Sequence, residues 1–116
     1  MRPPATPREV QEAQATHLAE AGSLPKEARK AAGRGDEAAL LAWLESGGRV
    51  NATCGVDDVS GVTALILAAD SGHERVVELL LRRGAAINLQ DSIGGTALML
   101  AAHNGHERVV ELLIWH

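Results

Sequence analysis

Between Glu74 and Arg83 the apolar residues Val76, Val77, Leu79, Leu80 and Leu81 cover an arc of roughly 200° on a helical wheel, wider than a helix packed on one side needs. Glu74, Arg75, Glu78 and Arg82 fill the remaining arc. The pattern predicts a helix buried on two flanks and wet on its back, stopped by Gly84. Glu78 and Arg82 are spaced for an i, i+4 ion pair worth about 0.2–0.5 kcal/mol. Just upstream, Thr63–Asp70 reads as a short, mostly apolar helix closed by Ser71 and Gly72. The two together predict a helix pair, a short apolar helix followed by an amphipathic one.

That unit recurs. Gly61–Arg83 reappears 33 residues later as Gly94–His116, and 16 of the 23 aligned positions are identical. A fixed period in this range means one structural unit stacked on copies of itself. A weaker copy precedes both: Ala31–Glu37 aligns with Ala68–Glu74, Leu40 with Val77, Trp43 with Leu80, and Gly47 and Val50-Asn51 with Gly84 and Ile87-Asn88. Its first helix, Lys26–Lys30, is charged where later copies carry Ala64–Leu67, as the outer side of a terminal unit requires. Residues 84–95, rich in Gly, Asn and Asp, read as a turn-rich extended finger between helix pairs. Four extra residues separate Asn51 from Thr63 compared with Asn88 to Thr96, so the first finger is expected to be longer, with the insertion within Thr53–Asp57.

Residues 1–24 differ from the rest. Arg2–Ala5 is Pro-rich, and Thr6-Pro7-Arg8-Glu9 reads as a capping box opening a helix from Pro7 to Ala21. Its apolar face is thin, so this segment is expected to be flexible or marginally helical.

Asp91-x-x-Gly94-x-Thr96-x-Leu98-x-Leu100-Ala101-Ala102-x-x-Gly105-His106 resembles the ankyrin repeat, as does Asp58-x-x-Gly61-x-Thr63 through Gly72-His73, followed by Gly84-Ala85 and Asn88. The resemblance covers residues 25–116. It implies an all-α fold, an ankyrin-repeat solenoid of antiparallel helix pairs with projecting turn or β-hairpin fingers. The expected units are a capping-type repeat with an extended finger over 25–57, a full repeat over 58–90 and an incomplete repeat over 91–116. Two departures stand out. The family's T-P-L-H is here Thr63-Ala-Leu-Ile66 and Thr96-Ala-Leu-Met99, without the proline or the histidine. The third copy stops inside its second helix, leaving Val109, Val110, Leu112, Leu113 and Ile114 without a following unit. A fragment of a larger protein, or an obligate partner, is the expectation from that end.

Composition narrows the chemistry. The chain of 116 residues has no Phe and no Tyr, 46% hydrophobic residues and a net charge of −4. Nucleic acid is disfavoured, since backbone binding needs clustered Lys and Arg and base stacking needs aromatic rings. Cys54 is the single cysteine, which rules out an intrachain disulfide. No apolar run reaches the roughly 20 residues that span a bilayer. Membrane insertion is therefore not expected, and an intracellular, cytoplasmic setting is, with the nucleus left open.

No residue pattern supports catalysis, a metal or a cofactor. His103-x-x-His106 lacks a carboxylate or Cys cluster to complete a ligand set, and His106 repeats the position of His73. Cys54 sits near Asp57 and Asp58, whose charge is expected to raise its pKa. Asp58 is read as the repeat's own turn aspartate rather than half of an acid/base pair. The glycines serve turns and helix stops, with no phosphate-binding spacing. By resemblance alone, Asn51 and Asn88 occupy a position that an asparaginyl hydroxylase modifies in related repeats.

The surface remains. The resemblance implies binding on the concave side, by finger tips and exposed positions of the first helices. In the second copy these are Val59, Ser60, Val62, Ile66, Asp70 and Ser71; in the third, Ser92, Ile93, Gly95, Met99, His103 and Asn104. Of the seven mismatches between the two copies, four (62/95, 66/99, 70/103 and 71/104) fall on that face. The expectation is a non-enzymatic module binding a protein or peptide there. The alternatives are an ankyrin-repeat piece of a larger enzyme, channel or scaffold, and self-association through the uncapped C-terminal helix.

Overall fold

A computed structural model describes residues 23–116 of the chain. The helix expected over Pro7–Ala21 lies outside the described residues. Among those described, six helices and one two-stranded antiparallel sheet follow in the order α1 (Lys26–Arg34), α2 (Glu37–Glu45), β1 (Thr53–Val56), β2 (Val59–Thr63), α3 (Ala64–Ser71), α4 (Glu74–Arg82), α5 (Ala97–His103) and α6 (Glu107–Trp115). Each consecutive helix pair packs on itself, while α1, α3 and α5 form one row and α2, α4 and α6 a second.

The inner row is built from small side chains. Ala28, Ala31 and Ala32 of α1, Ala64, Ala68 and Ala69 of α3, and Ala97 and Ala101 of α5 are all buried. Alanine leaves little between neighbouring backbones, so three short helices close up without aromatic filler. Most of the larger buried side chains come from the outer row, where Leu40, Val76, Val77, Leu80 and Val109 are each under 2% exposed, joined by Leu65 of α3. Along α4 the burial follows the wheel: Val76, Val77, Leu80 and Leu81 are buried, Leu79 is half-buried, and Glu74, Arg75 and Arg82 are exposed. The expected Glu78–Arg82 pair does not form. Instead Arg83 Nη2 reaches Glu45 Oε1 of α2 at 3.8 Å, an exposed contact between units that contributes little.

The helix starts are made locally. The Thr63 Oγ1 accepts from the Ile66 amide and the Thr96 Oγ1 from the Met99 amide, both at 3.2 Å. Asp36 does the same for Ala39 at 3.1 Å. A hydroxyl or carboxylate at this position satisfies an amide that has no partner inside the helix. Thr63 is only 2% exposed, so water cannot substitute for its oxygen. Thr63→Ala is expected to cost about 1 kcal/mol in urea unfolding, and Thr63→Ser distinctly less.

The finger with the insertion is a true hairpin. Thr53 pairs with Thr63 and Cys54 with Val62, an irregularity follows, and Val56 pairs with Val59 across the Asp57-Asp58 turn. Asp57 takes φ 54°, left-handed backbone that Asp tolerates at tight turns. This corrects the reading of Asp58, which belongs to the hairpin turn. In the second finger, Asp91 does what was expected of both: its Oδ1 accepts from the amides of Ile93 at 3.0 Å and Gly95 at 2.8 Å. That finger contains turns and no strand. The hairpin is also gripped from before α1. The Leu24 amide donates to the Thr53 carbonyl at 2.7 Å, and the Leu24 side chain is buried.

Candidate interaction surface

The twelve residues expected to face a partner divide into three groups. Val62 and Ile66 are not surface residues at all, being 5% and 3% exposed. Val62 is on β2, paired with Cys54, and Ile66 is on α3, which lies between α1 and α5. Their burial removes them from any binding face. Met99, the counterpart of Ile66, is 55% exposed. Identical repeat positions thus have opposite environments, because α3 has a neighbour on both sides and α5 on one.

A second group is spent on internal hydrogen bonds between the repeats. The Ser60 amide donates to Ser92 Oγ at 2.9 Å and the Ser92 amide to the Ser60 carbonyl at 2.8 Å, tying the two fingers together. Asn104 Nδ2 donates to Asp70 Oδ1 at 2.6 Å and to the Asp70 carbonyl at 3.2 Å. Gly95 is half-buried and holds the Asp91 turn through its amide. These residues join the copies, although the side chains of Asp70, Ser92 and Asn104 remain exposed.

The third group is the least committed, although Val59 packs against the core. Ile93 is 77% exposed at the tip of the second finger and Met99 is 55% exposed on α5. His103 follows Met99 at i+4 and is also exposed, so the two share one helix face. Ser71 is exposed and Val59 half-buried. None of these groups has the character of a reaction centre. They offer apolar contact area with one imidazole beside it.

The repeated histidines have a structural task that the spacing alone did not specify. His73 Nε2 lies 2.9 Å from the Gly33 carbonyl and His106 Nε2 lies 2.9 Å from the Asp70 carbonyl, each reaching back into the preceding helix pair. Both occupy the residue before an outer helix, yet neither caps it with its side chain. Asn51 acts similarly one level out, its Oδ1 accepting from the Ala86 amide at 2.8 Å. Among the described residues no three His, Cys, Asp or Glu side chains gather as a ligand set.

Cys54 is half-buried on β1 beside Arg29 of α1. Burial pushes its thiol above the ordinary range, and the Arg29 guanidinium, through its charge and a hydrogen bond, draws it part of the way back. The direction expected from the sequence holds, but the cause is desolvation rather than Asp57 and Asp58. Arg29, which the sequence did not single out, also donates to the Gly55 carbonyl at 3.5 Å.

Residues 29–116 match a model of three ankyrin repeats, and the chain belongs to the ankyrin-repeat family. It is similar to ankyrin repeat domain-containing protein 29 of Danio rerio, 46% identical over 59 residues. That stretch is 51% of this chain and 19% of the relative, so the chain matches only a small part of that protein. Among the described residues, no helix is long and apolar enough to cross a membrane.

Proposed function

We propose that this chain is a non-enzymatic interaction module that binds a protein or peptide on the concave face of a short solenoid, through finger tips and the first helices. Ankyrin repeats are generally protein-interaction modules. The observation that carries the reading is the cluster of Ile93, Met99 and His103. All three are exposed, while most positions shared between the copies are buried or half-buried. At positions 66/99 and 70/103 the third copy presents Met99 and His103 on its surface, where the second copy buries Ile66 and uses Asp70 to bond Asn104. The chemistry is surface burial with a few hydrogen bonds, and the exposed set lacks the Trp, Tyr or Arg anchor of a very tight interface. An intracellular setting belongs to the same reading, and an ankyrin-repeat piece of a larger enzyme, channel or scaffold is the alternative to it.

The test is affinity capture followed by reconstitution with the purified partner. An Ile93→Ala/Met99→Ala/His103→Ala chain, with helical content unchanged by circular dichroism, should lose at least about tenfold in Kd, which is 1.4 kcal/mol spread over three side chains. A partner lost with Ile114→Asp and kept by the triple variant would place binding on α6 and overturn the concave reading. Self-association has its own supporting observation, since Ile114 and Trp115 are 61% and 84% exposed.

A further inference from the structure

Charge in this chain is sorted by position within the repeat. Residues 50–73 and 84–106, which form the two fingers and the first helices α3 and α5, carry Asp57, Asp58, Asp70 and Asp91 and no Lys, Arg or Glu. In residues 74–83 and 107–116, which hold the outer helices α4 and α6, four glutamates are matched by four arginines. One side of these two repeats is therefore neutral in sum, and the other is negative without a lysine or arginine. The α1 helix has the opposite balance, with Lys26, Arg29, Lys30 and Arg34 against Glu27.

The four aspartates line the side on which the partner is placed. Asp57 and Asp58 make the turn at the hairpin tip, and Asp91 lies on the second finger two residues before Ile93. The Ser60–Ser92 bonds hold the fingers side by side, and a Cβ built on Gly61 would come within 3.5 Å of the Asp91 Cα. Asp70 is in the last turn of α3. Asp57, Asp58 and Asp70 are exposed and Asp91 is half-buried. The one ion pair among the described residues joins Arg83 to Glu45 and touches none of them.

The fold uses these side chains without needing their charge. Asp70 Oδ1 accepts from Asn104 Nδ2, and Asp91 Oδ1 from the Ile93 and Gly95 amides. An asparagine oxygen accepts the same bonds. Asp57 holds φ 54°, a conformation that asparagine also visits. A metal ion is a poor counter-charge, because among the described residues no three His, Cys, Asp or Glu side chains gather. The charges are strung out instead: five residues of β2 and eight of α3 put roughly 16 Å of strand and roughly 12 Å of helix between the hairpin tip and the end of α3.

We infer that the partner on this face is cationic, an extended peptide segment in which Lys or Arg residues alternate with apolar ones. Its positive groups lie over the fingers and the end of α3, and its apolar groups meet Ile93 and Met99. The basic α1 repels the same groups and so gives the segment a direction. The inference rests on the concave-face reading and adds the chemistry of the partner. Exposed charges of this kind govern selection and association rate more than tightness.

Selection of a random dodecapeptide display library on the whole chain supplies the probe, and the commonest recovered peptide is then synthesised. Lys and Arg are expected to be enriched over the unselected library, with Asp and Glu depleted. Binding should weaken roughly tenfold between about 0.05 and about 0.5 M salt. Asp57→Asn/Asp58→Asn/Asp70→Asn/Asp91→Asn should cost about tenfold or more in Kd. Glu74→Gln/Glu78→Gln/Glu107→Gln/Glu111→Gln, the same change of net charge on the outer helices, should cost less than about threefold. Circular dichroism checks that both variants keep their helices, and the enrichment and the salt dependence need no variant. A peptide lost with the Ile93/Met99/His103 triple variant but indifferent to salt and to the aspartates leaves the concave reading standing and overturns the cationic one. A peptide weakened by the glutamate variant and by neither of the others overturns both. A selection that yields no peptide, or yields neutral or acidic ones, also overturns the inference.

Discussion

Leu80→Ala is expected to remove a large share of this protein's stability. Leu80 is 0% exposed on α4, the helix between α2 and α6, so the truncated side chain would leave a cavity that packed neighbours cannot refill. Losses at such sites run about 2–5 kcal/mol. Natural domains carry roughly 0.05–0.15 kcal/mol of stability per residue, so the loss is a large share of what a chain of this size holds. A stack is also a poor place to lose a central contact, because stability is a sum over neighbouring units and their interfaces. Urea unfolding followed by far-UV circular dichroism measures the effect. Leu79→Ala serves as the comparison, since Leu79 is only half-buried and should lose distinctly less. A Leu80 loss below about 1 kcal/mol would mean that the outer row relaxes far more freely than packed interiors do.

The legible part of this molecule was what repeats. Copying 16 of 23 positions fixes where each unit begins, and the spacing of Val76, Val77, Leu80 and Leu81 identifies the buried stripe of α4. The start of α3 was legible to within one residue: Thr63, read as its first residue, is the cap whose oxygen accepts from the Ile66 amide. What escaped was whatever depends on the neighbour rather than on the unit. Ile66 and Met99 share a repeat position and a local pattern, yet one is buried and the other is not. The bond from His73 to Gly33 spans 40 residues, and nothing in the local periodicity encodes it.

The fingers show the same division. Their existence follows from Gly, Asn and Asp content, but the four inserted residues turned one finger into a β-hairpin and moved Asp58 out of the role that Asp91 keeps. Val62 was drawn inward with β2 for that reason. Part of the candidate face was therefore readable only through a resemblance that treats all fingers alike. The trio of Ile93, Met99 and His103 is exposed because it lies on the uninterrupted finger and on α5, which among the described residues has a helix of the inner row on one side only.

Gly72→Ala is expected to cost far more than Gly105→Ala, and the difference isolates the histidine socket. Both glycines hold nearly the same left-handed φ, 78° and 74°, so an alanine pays similar backbone strain at each, about 1–2 kcal/mol. At Gly105 the new methyl enters open space. At Gly72 it would stand 2.6 Å from His106 Nδ1 and 2.9 Å from Cγ, too close for the ring to stay. The ring cannot retreat without giving up its bond to the Asp70 carbonyl, so overpacking and a lost hydrogen bond add roughly 1–3 kcal/mol. The expected totals are about 2–5 kcal/mol for Gly72→Ala and about 1–2 kcal/mol for Gly105→Ala. His106→Ala should bring the two costs together, since the methyl at Gly72 then meets no ring. If both substitutions cost the same in the parent chain, the contact between His106 and Gly72 does not couple the second and third repeats. If they differ and His106→Ala removes the difference, one imidazole per interface sets how each helix pair seats on the one before it.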